Sequence, residues 1–457
     1  MSDALPQRAV AEELAGRIVA LDPARFPPAL KAKCRDVLTD IVGLCVTARN
    51  EPYVKSALGG VDDDGSCTAI GHARTLSAAG AALVNGTAAH GEDFDDTFEG
   101  GPVHAGVVVV PAVLAACERH NPSGQAALKG IAVGLELTCR SSLVVPKAVH
   151  KSGFHPTAVL GAMGAAAAVG AALNLGERQI VDALGIAGSM AGGIIEYLAE
   201  GAWTKRMHPG WAAQSGIRAA LMARAGFNGP RTVFEGTHGL YNGFAHTAKG
   251  DYGALTGDFG TRWVAETIAF KPYPCGTMTH PYIDCARRLK RRGIEAGDIK
   301  EMVCEVGEGT VHRLWEPLAA KRRPNNGYAG KFSTPYCIAS GFVRGGVGLE
   351  AFTDAAVREP EVLALAAKVK YVIDPKNPYP SNYTGHIRAT MRDGSVIEER
   401  QPHLRGGVHE PLTAADIEDK FARNARHGGW SDQRIAAALR TARGLFEGPV
   451  KLDSFKG

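Results

Sequence analysis

Nine cysteines are scattered through the chain, but no two stand in a CxxC pair or at any other recognisable ligand spacing. That argues against a zinc or iron–sulfur framework held by clustered thiolates. An odd number of dispersed, mostly apolar-flanked cysteines suits the reducing cytoplasm, where thiols stay unpaired. Aromatic residues are sparse, at 7%, which disfavours an aromatic-rich β-sandwich. Net charge is only +4, too weak a field to imply nucleic acid or a membrane surface as partner. The opening residues, MSDALPQRAVAEELAG, are polar and acidic and do not read as a signal peptide. Long Leu- or Ile-rich runs are missing. The longest uncharged run, PTAVLGAMGAAAAVGAALNL (156–175), is built of Ala and Gly, so a buried, close-packed helix is expected rather than a membrane span. There is no P-loop, no GxSxG elbow and no GxGxxG opening a helix, which argues against nucleotide and serine-hydrolase chemistry.

What the chain does have is glycine, 56 of its 457 residues, and abundant alanine, the composition of closely packed helices. Helices are expected over 4–20, 28–49, 73–90, 107–118, 124–143, 155–173, 177–188 and 211–225, and a short strand over 67–70. The character changes near residue 265, where Pro, Cys and basic residues rise in KPYPCGTMTHPY (271–282). Strands are expected at 302–306 and 369–373. A hairpin follows, with Ile387, Ala389 and Met391 on one face, Asp393-Gly394 as the turn and 396–399 as the return. Helices capped by Thr413 and Ser431 close the chain. The expected fold class is therefore mainly α: a large all-helical domain (1–265 and 405–457) with a smaller inserted α+β lid domain (266–404).

Chemistry concentrates in AAHGEDFDDTFEGGPVHAG (88–106), with five acidic residues and two histidines in nineteen positions between apolar flanks. Burying such a cluster is costly unless the fold uses it. If helical at its start, the stretch places His90, Asp93, Asp96 and Thr97 on one face, with Asp95 pointing away and His104 returning on a turn. Cations and histidines recur beside Gly, Pro or aromatic residues in GFHP (153–156), GAWTKRMHPG (201–210), KPYPCGTMTH (271–280) and KFSTPY (331–336). Lys205 and Lys271, taken with the acidic face, point to a site. Each alone reads as a snorkelling side chain. His155 divides evenly between a core or capping role and catalysis. His208 and His280 lean toward packing or support, and Tyr336 alone toward packing.

Two rival readings start from the same stretch. DDTFE (95–99) fits DDxxE, the pattern with which some all-α enzymes hold magnesium–diphosphate, but no second metal motif accompanies it. His90, Asp93 and His104 form a plausible but weakly specific transition-metal set.

With these motifs in view, the chain resembles the MmgE/PrpD family. The resemblance rests on NGTAAHGEDFDDTF (85–98) with His104, GFHPTAVLGAMGAA (153–166), ALGIAGSMAGGIIEY (183–197), TKRMHPGWAAQSG (204–216), VFEGTHGLY (233–241), KPYPCGTMTHPYID (271–284) and KFSTPY (331–336). It implies a helical domain with an α+β lid, a homodimer, and no metal or organic cofactor. It implies a lyase on a small di- or tricarboxylate, most directly dehydration of a 2-methylcitrate-like hydroxy acid. Decarboxylation of cis-aconitate and epimerisation of an iminodisuccinate-like dicarboxylate are the alternatives. Active-site residues carried over by motif position are Asp93, Thr97, His104, His155, Lys205, Lys271 and Tyr336, with Arg206 and His280 as further substrate-binding candidates. The chain departs from the commonest family pattern at Ala105-Gly106, after His104, and at Glu99. In this reading His104 and His155 transfer protons, the lysines grip carboxylates, Asp93 orients a histidine or acts as base, and Thr97 and Tyr336 donate to substrate oxygens.

Overall fold

The computed structural model describes residues 8–457, which form two compact units. The first takes the chain up to Gly91, Asp95–Ile268 and Thr413–Gly457. The second takes Glu92–Phe94 and Ala269–Leu412. The protein is 56% helical with small sheets, a mainly-α fold with a smaller α+β part.

Counting helices of eleven residues or more, the first unit contains α1 (Val10–Ala20), α2 (Pro28–Ala48), α3 (Ala78–His90), α4 (Gly106–His120), α5 (Gly124–Val144), α6 (Pro156–Ala172), α7 (Glu177–Met190) and α8 (Thr204–Arg224). The expected first helix began at Ala4, and its positions 4–7 lie outside the described residues. Every residue of α6 is buried. Its Ala and Gly side chains allow α4, α5, α7 and α8 all to pack against it. Among the described residues no helix is long and apolar enough to cross a membrane.

Small residues also set how close α3 and α8 come. A methyl group added to Gly86 would sit 2.6 Å from the Gly210 Cα, so the two backbones meet here without side chains between them. This contact packs the C-terminal part of α3, ending at His90, against the part of α8 that carries His208.

Three local expectations change. The helix expected from residue 73 starts at Ala78, because Thr75–Leu76 pairs with the strand Asp64–Thr68 and Ser77 then caps the helix by accepting from the Gly80 N–H. The helix expected from 211 starts at Thr204 and continues through Pro209, which leaves one backbone bond unmade. The acidic stretch does not continue α3. The helix stops at His90, and Asp93 lies in the left-handed region at φ 53°, where an L-residue cannot propagate a right-handed helix.

The second unit contains α9 (His280–Arg291), α10 (Thr334–Arg344) and a four-stranded sheet of β1 (Ile299–Val306), β2 (Val369–Ile373), β3 (Gly385–Met391) and β4 (Val396–Gln401). The order is β2-β1-β3-β4. β1 and β2 run parallel and the other pairs antiparallel. Ile387, Ala389 and Met391 face the core as expected, and Gly394 turns the hairpin at φ 89°. His386, which alternates with these residues, is also buried, against Glu305 and Glu398. The closing helices α11 (Ala414–His427) and α12 (Asp432–Gly444) belong to the first unit, capped by Thr413 and Ser431.

Candidate active site

Four imidazoles gather in the helical unit. His90 ends α3, His104 lies just ahead of α4, His155 occupies the N-cap position of α6, and His208 sits on the second turn of α8. His90 and His155 stack at 5.6 Å between centroids, His90 and His104 lie 5.1 Å apart, and His155 and His208 lie 5.3 Å apart. Tyr197 borders the cluster, 6.2 Å from His155 and 5.8 Å from His208. His90, His155 and His208 are buried, while His104 keeps 16% of its side-chain surface.

Asp95, fully buried, joins two of these rings. Its Oδ2 lies 2.7 Å from His90 Nδ1 and 3.2 Å from His104 Nδ1. A helix continued through the stretch would point Asp95 away from the active face. Because α3 ends at His90, the chain turns inward instead. Asp96, also fully buried, does cap: both carboxylate oxygens accept from the Gly106 N–H, at the start of α4. With both carboxylates committed to the protein's own donors, DDxxE is not displayed as a magnesium–diphosphate motif.

His155 caps nothing with its side chain. Its backbone N–H donates to the Gly193 carbonyl, and its Nδ1 lies 3.2 Å from His208 Nδ1, so one ring donates and the other accepts. Burial first, then the neighbouring imidazoles and the Lys205 ammonium, hold His155 well below the ordinary histidine range. The same causes push His208 down to about 4. Both rings are therefore neutral at physiological pH. Lys205 is half-buried on the first turn of α8. Its neighbour Arg206 lies 4.3 Å over the Tyr53 ring, a cation–π contact that accounts for its position. Thr97 is half-buried on the short strand Thr97–Phe98.

In donor type, His90, Asp95 and His104 suit a transition metal, and their ligand atoms lie within 4.8 Å of one another. The nitrogens that converge are the Nδ1 atoms hydrogen-bonded to carboxylate or carbonyl oxygens, so a metal there would have to displace those protons.

In the second unit, two buried lysines hold the segment Glu92–Phe94. Lys271 Nζ donates to the Asp93 carbonyl at 3.0 Å. Lys331 Nζ donates to the Glu92 carbonyl at 2.7 Å and pairs with the Glu92 carboxylate at 2.6 Å. They stabilise the strained turn that places Asp93. Lys331 was missed, although it opens the KFSTPY motif. Tyr336, from the same motif, is not brought to these groups. It lies in the first turn of α10 on the buried face, within the apolar core, and its hydroxyl donates to the Ala351 carbonyl. His280 is likewise fully buried, its Nε2 3.2 Å from the Cys275 carbonyl and its ring edge-on to Tyr273. Both side chains make these contacts within the second unit.

Comparison with known proteins agrees with the motif resemblance. The MmgE/PrpD N-terminal domain matches residues 12–252 and the MmgE/PrpD C-terminal domain residues 273–442. Relatives include a "Cis-aconitate decarboxylase-like protein oryM" from Aspergillus oryzae, 26% identical over 93% of this chain and 92% of that one. The "Cis-aconitate decarboxylase" of Homo sapiens is 30% identical over 76% of this chain and 72% of its own length. That of Aspergillus terreus is 28% identical over 81% and 79%. The chain belongs to the MmgE/PrpD family and is an enzyme of the lyase class.

Proposed function

We propose that this lyase removes CO₂ from cis-aconitate or a closely similar unsaturated tricarboxylate, using side chains alone. The bond from the CH₂ arm to its carboxylate carbon breaks and CO₂ leaves. The electron pair stays behind as an allylic anion spread toward a remaining carboxylate. A histidine Nε2–H then delivers a proton to the carbon next to that carboxylate. The observation that carries this reading is the buried Asp95–His90–His104 set beside two neutral histidines, a proton-handling centre with no other evident task. The names of the relatives support decarboxylation over the dehydration of 2-methylcitrate expected first from the motifs. Lys205 is assigned a substrate carboxylate. Such a contact at ~4 Å and an effective dielectric of ~20 contributes about 4 kcal/mol before desolvation. Asp93 is assigned a carboxylate role of its own, set by the turn that Lys271 and Lys331 hold within the second unit.

The test is a panel of cis-aconitate, 2-methylcitrate, citrate and iminodisuccinate, followed by NMR and CO₂ release. Turnover of cis-aconitate with stoichiometric CO₂ is expected. Water loss from 2-methylcitrate without decarboxylation of cis-aconitate would restore the dehydratase reading.

We also infer a homodimer in the cytoplasm. Trp203, Met207 and Trp211, spaced four apart around the start of α8, are 49%, 37% and 46% exposed, an apolar stripe suited to a second copy. All nine cysteines are free and buried, consistent with a reducing compartment. Light scattering should give twice the chain mass, and Trp211→Glu should lower it.

A further inference from the structure

We propose that Asp95 is a positioning residue that serves two histidines at once, holding His90 and His104 with Nε2 as the nitrogen that carries the working proton. The inference rests on the lyase reading above only for which reaction that proton serves.

Hydrogen-bond chemistry fixes the direction. His104 Nδ1 lies 2.6 Å from the Asp96 carbonyl oxygen and 3.2 Å from Asp95 Oδ2. A carbonyl and an ionised carboxylate only accept, so Nδ1 carries the hydrogen and the lone pair of the neutral ring is on Nε2. His90 repeats the pattern, with Nδ1 2.7 Å from the same Asp95 oxygen, and its Nε2 is buried with no hydrogen-bond partner. The His104 backbone is held separately, its N–H donating to Thr157 Oγ1 at 3.1 Å. The Asp95 carboxylate thus sets the tautomer of His90 and, together with the nearer Asp96 carbonyl, that of His104, while His104 is the ring that retains solvent exposure.

Charge gives Asp95 a second effect. When His104 Nε2 takes a proton, the ring becomes a cation in a nearly dry site. The charged and titratable groups facing it are Asp95 and Asp96 on its own loop, His90 from α3 and His155 from α6. Behind His155 lie His208 and Lys205 from α8. Among these, Asp95 is the carboxylate directed at the ring nitrogen, since Asp96 turns its oxygens to Gly106. In turnover the proton on His104 Nε2 moves to the allylic carbon left by CO₂, the ring returns to neutral, and solvent replaces the proton. Asp95 keeps its charge throughout, compensating the cation before transfer.

Asp95→Asn preserves shape and one acceptor oxygen but removes the charge. The expected result is a fall in kcat of roughly 100-fold or more with KM changed by less than about threefold. The alkaline fall of kcat should move to lower pH, because His104 loses its counter-charge. NMR titration of histidine-labelled protein without substrate should show the same displacement for His104. In the unsubstituted protein, ¹⁵N spectra should show neutral His90 and His104 as Nδ1–H tautomers. An unchanged kcat and pH profile in Asp95→Asn, or Nε2–H tautomers in the unsubstituted protein, would overturn the proposal. The His90 tautomer and the His104 titration in Asp95→Asn need no substrate, so they decide the role of Asp95 even if cis-aconitate proves not to be turned over.

Discussion

The histidine cluster of the helical unit and the lysine pair of the α+β unit use buried ionisable groups differently. In the helical unit, histidines touch one another and a single carboxylate, and burial keeps His155 and His208 neutral. A neutral imidazole offers one donor and one acceptor nitrogen. In the α+β unit, Lys271 and Lys331 are spent on backbone carbonyls and on Glu92. Their charges fix the path of Glu92–Phe94, and through it the carboxylate of Asp93. One set is arranged to change protonation state. The other is arranged to hold a shape.

Substitutions should separate the two. His104→Gln removes the proposed proton carrier and should lower kcat about 1,000-fold, with KM and thermal stability nearly unchanged. A loss confined to KM would move proton transfer elsewhere. Lys271→Met should lower kcat about 100-fold and raise KM as well, since the Asp93 turn loses its brace. Asp93→Gly, which suits the left-handed backbone, should keep the fold while remaining impaired. If Asp93→Gly were fully active, the second unit's lysines would be purely structural.

His208 gives a smaller effect with a definite sign. Folded His208 takes up its proton near pH 4 rather than 6.5, so between these values the unfolded chain binds more protons. Stability from this group is complete above about pH 6.5 and is lost as pH falls toward 4, by at most about 3 kcal/mol. His208→Gln should flatten the fall in Tm across that window, and an unaltered slope would show that His208 does not carry it. The smallest effect expected is from chelation. EDTA should leave turnover unchanged, and loss of activity restored by zinc would return His90, Asp95 and His104 to the role of metal ligands.

The helices were legible because alanine, glycine and the capping residues act locally. Thr413, Ser431 and the Asp393-Gly394 turn stand where their short-range chemistry requires. The site was legible as motifs but not as contacts. The spacing of His90 and Asp95 means opposite faces if the helix continues, and a direct hydrogen bond once it stops at His90. Nothing local announces the left-handed Asp93, which depends on lysines 178 and 238 residues further along the chain. Tyr336 and Lys331 share one motif, and only the packing of α10 decides that the tyrosine turns into the core.

The most direct test of the central claim is one incubation of the purified protein with cis-aconitate in D₂O, followed by NMR. The expected result is one equivalent of CO₂ and a methylene-bearing dicarboxylate with a single deuterium next to a carboxylate, the atom delivered by the histidine set. Recovered cis-aconitate with no CO₂, or a product carrying no solvent deuterium, would contradict it.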